Sequence, residues 1–142
     1  MTDIKGEIVE QTVEVEITID APVETVFDYF VVPEKLARWL GPGAGVDPRP
    51  GGRFRAGLSD DDVASGTYID VERPKRVSFS WGWEGSEIVP PGASVVEITL
   101  EEVGGATTVV RVSHKGLPDD QPGSHLEGWL HYLGVLGTVA LP

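Results

Sequence analysis

The sequence predicts an α+β fold in which a curved antiparallel β-sheet wraps around one long C-terminal α-helix, with two short helices after the first strand. Three observations predict it. Segments with a period of two follow one another through the 142 residues, and that alternation marks strands with one buried and one wet face. Hairpin-like spacing between them makes the sheet antiparallel. A single long apolar stripe of helical period closes the chain, and it is the only helical pattern long enough to cover such a sheet. No low-complexity linker or internal repeat divides residues 1–142, so they read as one domain.

Each element has its own signal. Over residues 9–19, Val13, Val15, Ile17 and Ile19 alternate with Glu14, Glu16 and Thr18, which reads as one strand. Asp20 or Ala21 is expected to cap the first helix, with Pro22 in its first turn and Glu24 at the positive end of its dipole. Val23, Val26, Phe27 and Phe30 form its apolar stripe. Pro33 opens a second short helix, Glu34 to Leu40, which Gly41-Pro42-Gly43 terminates. Pro50-Gly51-Gly52 turns into a strand at Arg53 to Ala56, and Asp60-Asp61-Asp62 turns into another at Ala64 to Glu72. After Arg73-Pro74-Lys75 a strand carries Val77, Phe79, Trp81 and Trp83 on one face. A Gly- and Pro-rich loop spans Glu84 to Ala93. Val96, Ile98 and Leu100 then mark a strand joined through Gly104-Gly105 to Thr107–His114. Ser124-His125-Leu126-Glu127 has the form of a capping box. The helix it opens aligns Leu126, Trp129, Leu130, Leu133, Leu136 and Ala140.

Composition narrows the function. Apolar residues make up 40% and charged residues 24%, which suits a folded chain and not a disordered one. No cysteine is present, so disulfides, thiolate metal sites and a cysteine nucleophile are excluded. The N-terminal residues lack the basic start and apolar core of a secretory leader, and no apolar run reaches the ~20 residues of a membrane span; a cytoplasmic location without membrane insertion is the expectation. The acidic net charge of −12, with Lys and Arg scattered, repels phosphate backbones and argues against nucleic acid as partner.

The junction Ile19-Asp20-Ala21-Pro22-Val23-Glu24-Thr25-Val26-Phe27, followed by Pro33-Glu34-Lys35-Leu36-Ala37-Arg38-Trp39, resembles the START-like superfamily known as SRPBCC. Pro50-Gly51-Gly52-Arg53-Phe54, Gly66-Thr67-Tyr68 and Pro74 to Trp81 are similar to its branch related to the heat-shock protein 90 ATPase activator. Gly105-Ala106-Thr107, His114 to Pro118 and Glu127-Gly128-Trp129 complete the resemblance, which covers residues 9 to 140. It implies a helix-grip fold with an internal cavity for apolar molecules. It implies much less about activity, because such folds include lipid carriers, cyclases, hydroxylase subunits and co-chaperones.

Phe27, Phe30, Trp39, Phe54, Tyr68, Phe79, Trp81, Trp83, Trp129 and Leu133 fall on faces expected to point inward, where core packing and ligand contact overlap. Trp81 and Trp83 adjoin the Gly/Pro loop and are the stronger ligand candidates. His114 shares parity with Val110 and Val112, so its imidazole needs a buried partner, either structural or on a ligand. Tyr68 is the second polar anchor by the same reasoning. The three histidines show no metal-ligand spacing, and no nucleophile motif or inward-facing acid appears, so neither a metal, a cofactor nor a catalytic residue is assigned. The sequence therefore favours a binder of a small hydrophobic molecule over an enzyme. Its alternatives are a co-chaperone-like module that recognises a chaperone or other protein, and a cyclase- or hydratase-like cavity enzyme.

Overall fold

In the computed structural model, which describes residues 3–42 and 45–141, the first alternating stretch is a hairpin and not one strand. Strands β1 (Ile4–Val9) and β2 (Thr12–Ile19) pair antiparallel around Glu10 and Gln11. Both turn residues have positive φ, 49° and 68°, the left-handed pair that a two-residue hairpin turn demands. That turn usually announces itself as Asn-Gly, and Glu-Gln gives no such signal. The Gln11 side-chain amide donates to the Asp119 carbonyl at 2.9 Å, a tertiary contact that ties the turn down.

Helix α1 (Val23–Val31) follows β2 and α2 (Pro33–Leu36) follows α1. Contrary to expectation, neither Asp20 nor Ala21 caps α1; the cap position is Pro22, in an extended conformation. The Asp20 carboxylate instead accepts from the Thr107 hydroxyl, and the Ala21 carbonyl from Thr108, so both are committed to the strand that begins there. The second helix is shorter than the expected 34–40: beyond Leu36 the chain continues as tightened turns, with Trp39 N–H donating to the Leu36 carbonyl. Gly41 then takes a φ of 143° against the backbone of Gly57, where a side chain would collide. Gly43, expected in the same turn, lies outside the described residues.

Strands β3 (Arg53–Gly57), β4 (Val63–Glu72), β5 (Arg76–Trp83), β6 (Ser94–Val103) and β7 (Thr107–Lys115) complete a seven-stranded antiparallel sheet in the order β1-β2-β7-β6-β5-β4-β3. Their inward residues alternate as the sequence predicts: Val96, Ile98 and Leu100 on β6 face the same core as Val110, Val112 and His114 on β7. A register shift between Tyr68 and Asp70 bends β4.

The final helix α3 (Gln121–Val139) starts three residues before the expected capping box. Pro122 in its first turn supplies a helical φ without needing a bonded N–H, and Ser124 lies inside the helix, its hydroxyl donating to the Gln121 carbonyl. Packing of α3 on the sheet concentrates on β1 and β2. Gly6 permits that approach, since a methyl there would sit 2.8 Å from Leu126 Cδ1 and 3.2 Å from Leu130 Cδ2. Meanwhile α1 lies over β6 and β7 and buries Val26, Phe27 and Phe30. With α3 seated on the β1–β2 side of the curved sheet, its first half meets the end of β5 through side chains, and a site opens beside them. No described helix is long and apolar enough to cross a membrane.

Candidate ligand-binding site

The interior is aromatic, and its packing changes from tight to open along β5. At the tight end Phe54 and Phe79 stack with ring centroids 4.0 Å apart and planes 12° from parallel. Tyr68 meets both edge-on. These rings leave no space between them, and burying each stabilises the fold by roughly 2 to 3 kcal/mol. Phe30 and Trp39 form a separate T-shaped pair at 5.3 Å under α1. The polar atoms of this half are satisfied internally. The Tyr68 hydroxyl donates to the Phe30 carbonyl at 3.1 Å, and Trp39 Nε1 donates to the Tyr29 carbonyl at 2.8 Å. Burial pushes the Tyr68 hydroxyl well above its ordinary titration range, so it stays a neutral donor.

Toward the first half of α3 the packing opens into a cavity of about 480 Å³. Its floor is indole: Trp81 and Trp83 from β5 and Trp129 from α3, with Trp81 at 5.3 Å from each of the other two. Leu40, Leu58 and Tyr132 add apolar surface. Asp61, Asp62, Glu84, Gly85 and Ser86 form the mouth, from the β3–β4 turn and the loop after β5, and Gln121, Ser124, His125 and Gly128 line the helix side. Volume and lining fall in the range of small-molecule sites, which join apolar walls to a few polar groups.

Behind the floor lies a hydrogen-bonded chain. His114, opposite Val96 on β6 and Val13 on β2, is fully buried. Its Nδ1 accepts from Trp129 Nε1 at 3.0 Å, so its proton resides on Nε2. Nε2 then donates to Ser94 Oγ at 2.8 Å, and Ser94 donates to the Trp81 carbonyl at 2.8 Å. Burial, and after it the neighbouring His125, pushes the His114 pKa down to about 3, so the ring is neutral at physiological pH. His125 mirrors this arrangement: its Nδ1 donates to the Gln121 carbonyl at 2.8 Å and its Nε2 accepts from Trp83 Nε1 at 3.0 Å. Burial lowers its pKa as well. The two rings are 5.2 Å apart, and all four nitrogens are engaged by protein groups. Among the described residues no group of three or more His, Asp or Glu is arranged to hold a metal ion.

Two indole N–H groups at the floor are thus spent on imidazoles, and the third is not. Trp81 is 3% exposed, and its Nε1 is buried without a hydrogen-bond partner. An unpaired buried donor costs ~1 to 3 kcal/mol, a penalty the fold carries beside the cavity. At the mouth, Arg55 grips Glu84 with two bonds of 2.9 and 3.2 Å, which hold the carboxyl below its usual range and fix the start of the loop.

Of the residues singled out from the sequence, the structure brings Trp81, Trp83 and Trp129 together around the cavity. Phe54, Phe79 and His114 pack against Trp81 from behind. Phe27, Phe30, Trp39, Tyr68 and Leu133 are buried in the core away from it. Sequence reasoning missed His125 and Tyr132 as lining residues, although His125 stands four residues before Trp129 and so on the same helix face. No local pattern marks Leu58, Asp61 and Asp62, which reach the cavity only because the β3–β4 turn folds toward α3.

The fold has known counterparts. An AHSA1-like protein of Rhizobium etli is 40% identical, with a TM-score of 0.69 over 99% of this chain and 82% of that one. A protein of Mesorhizobium loti is 26% identical, with a TM-score of 0.77 over 90% and 95%. DynU16, from the dynemicin biosynthetic locus, is 25% identical, with a TM-score of 0.76 over 92% of this chain and 47% of its own. No curated protein matches the sequence. The sequence model described as activator of Hsp90 ATPase homolog 1-like protein matches residues 20–140, which hold strands β3 to β7 and all of α1, α2 and α3. The chain belongs to the family of activator of Hsp90 ATPase homolog 1-like proteins.

Proposed function

We propose that this protein binds a small hydrophobic molecule, flat enough to lie against indole faces, in the cavity between the end of β5 and the first half of α3. The observation that carries this reading is a cavity of about 480 Å³ lined by three indoles, Trp81, Trp83 and Trp129, together with Leu40, Leu58 and Tyr132. The three indoles supply apolar area for a flat ring, and the polar groups of Ser124 and Gln121 on the helix side offer hydrogen bonds to its edge. The origin of DynU16 in a biosynthetic locus supports a small molecule as occupant.

A thermal-shift screen against sterols, fatty acids, flavonoids and polyketide-like aromatics tests it. A ligand held only by the folded state at a hundred times its dissociation constant adds ~2.7 kcal/mol. A shift confined to one chemical class supports the reading, and silence across the whole panel overturns it.

The family's description favours a second reading, a co-chaperone-like module that recognises a chaperone through its surface. The two separate cleanly. Stimulation of an Hsp90 ATPase that survives Trp81→Phe and is lost on surface substitutions would support the second reading and not the first.

A further inference from the structure

The sheet ends in two edges, and the chain treats them differently. Along β3 the outer edge is covered: the Gly45 and Asp47 N–H groups donate to the Arg55 and Arg53 carbonyls, each at 2.8 Å. Along β1 it is open. The Thr18 N–H donates to the Asp3 carbonyl at 3.0 Å, and the register places Ile4 opposite Ile17. Bonded and non-bonded pairs alternate along an antiparallel ladder, so Lys5, Glu7 and Val9 direct their backbone groups at β2. Ile4, Gly6 and Ile8 direct theirs outward, where no partner meets them among the described residues. The same three residues share the core face with Ile17, Val15 and Val13, yet Ile8 is 42% exposed. Leu126 and Leu130 of α3, both half-buried, stand over Gly6. An incompletely covered apolar strip thus flanks an edge of unpaired backbone.

An open edge by itself names no partner; the charges beside it do. Glu7 faces Glu14 across the β1–β2 ladder, an unfavourable like-charge pair, and has no ion pair among the described residues. Lys5 reaches Glu16 at 3.5 Å, yet 81% of its side chain stays exposed. Charges on an edge strand usually repel a second strand, but this pattern complements itself. When two β1 strands lie antiparallel with Gly6 opposite Gly6, Lys5 of each copy falls opposite Glu7 of the other. Ile4 then falls opposite Ile8, and the outward backbone groups of residues 4, 6 and 8 meet as bonded pairs. Lys5 and Glu7 occupy the non-bonded positions, where side chains lie closest. Shifting the register by two residues either way sets Lys5 against Lys5 or Glu7 against Glu7. We propose that the protein forms a two-fold symmetric dimer through antiparallel pairing of β1 with β1 of a second copy, centred on Gly6. The two sheets become one. Strands lie about 4.8 Å apart and α3 packs on β1 and β2, so the two α3 helices come within about 10 Å, an ordinary packing distance, with Leu126 and Leu130 beside the seam. None of these residues lines the cavity, and β1 precedes the residues that the family model matches.

Sedimentation velocity on the full chain tests it, over concentrations from micromolar to submillimolar. Physiological salt is used, to screen the repulsion between chains of net charge −12. The native protein should pass from the molar mass of one chain to twice that value. K5E and E7K each place like charges at both symmetric contacts and should weaken the dimer about tenfold or more. An equimolar mixture of K5E and E7K restores opposite charges at both contacts, so it should dimerise within about threefold of the native protein although neither variant does so alone. I8P removes an outward N–H while leaving the bonds to β2, and it should abolish the dimer with the fold intact by circular dichroism. A native protein that stays monomeric throughout overturns the proposal. So does a dimer that K5E and E7K leave unchanged, or a mixture no tighter than its two components. Should I8P fail to fold, the charge exchange decides by itself, because Lys5 and Glu7 are exposed.

Discussion

Trp129 donates its indole N–H to His114 Nδ1 across 3.0 Å, joining the middle of α3 to the end of β7 through a bond buried from solvent at both ends. It dictates the tautomer of His114 and, through it, the direction of the bonds to Ser94 and on to the Trp81 carbonyl. The polar chain thus runs from the long helix to the strand that carries the cavity floor, and it holds the floor in place without entering the cavity.

Removing the centre of this chain should be costly. His114→Ala strands the Trp129 N–H and the Ser94 hydroxyl and opens a void, so a loss of about 3 kcal/mol or more is expected, near 10 °C in melting temperature. A double-mutant cycle with Trp129→Phe in urea denaturation checks the link. Coupling of ~1 kcal/mol or more supports it, and strictly additive losses refute it.

Acid should destabilise the fold through the same residue. The folded-state pKa of His114 lies near 3, below the ordinary imidazole value of 6.5, so the unfolded chain binds the extra proton first. The stabilisation is complete above pH 6.5 and is lost as the pH falls toward 3, at up to about 1.4 kcal/mol per pH unit. The lowered pKa of His125 acts in the same direction. Denaturation midpoints between pH 7.5 and 4.5 should drop steeply in the native protein and less in His114→Gln. Equal slopes in the two would remove His114 from the explanation.

Tyr68 provides a control for the cavity. Its hydroxyl is bonded to the Phe30 carbonyl, away from the lining residues. Tyr68→Phe should therefore cost ~1 to 2 kcal/mol of stability and leave ligand affinity unchanged. A large loss of affinity without loss of stability would return Tyr68 to the site.

Trp81→Phe should do the reverse. It removes a buried donor that has no protein partner, so the hydrogen-bond inventory of the free fold improves even as some packing is lost. A flat ligand from the thermal-shift panel should bind about fivefold more weakly, because a phenyl ring offers less apolar surface than the indole it replaces. Calorimetry on both proteins measures it, and unchanged affinity would mean that Trp81 takes no part in binding.

The loop after β5 depends on one glycine. A methyl group at Gly82 would collide with the Pro90 carbonyl, which belongs to the loop that begins with the cavity residues Glu84 to Ser86. Gly82→Ala should push the loop from the strand, costing ~2 kcal/mol or more and speeding proteolysis between residues 84 and 93. A protein with native stability and an intact loop would show that the strand yields instead.

The sequence by itself determined what is local or periodic. Alternation placed β3 to β7 within a residue or two, because each strand must hide one face and a period of two permits only one face. Gly104-Gly105 marked its hairpin because its residues, at φ 72° and 84°, adopt a conformation that glycine takes without strain. Parity also sent His114 inward. Tertiary structure decided the rest. The Glu10-Gln11 turn is held partly by a carbonyl more than a hundred residues away, so no nearby residue announces it. Ser124 has the form of a cap, yet Pro122 starts the helix before it. Above all, the fate of each buried polar atom depends on partners distant in the chain. Tyr68 and Trp81 look alike in the sequence, as aromatics with a polar handle on inward positions, but the fold delivers a carbonyl to Tyr68 and none to Trp81. The cavity arises for the same reason: four separate stretches of chain converge where α3, seated on β1 and β2, meets β5 through the side chains of His125 and Trp129. A one-dimensional pattern records which face a residue takes, and it carries no information about the gap between two faces.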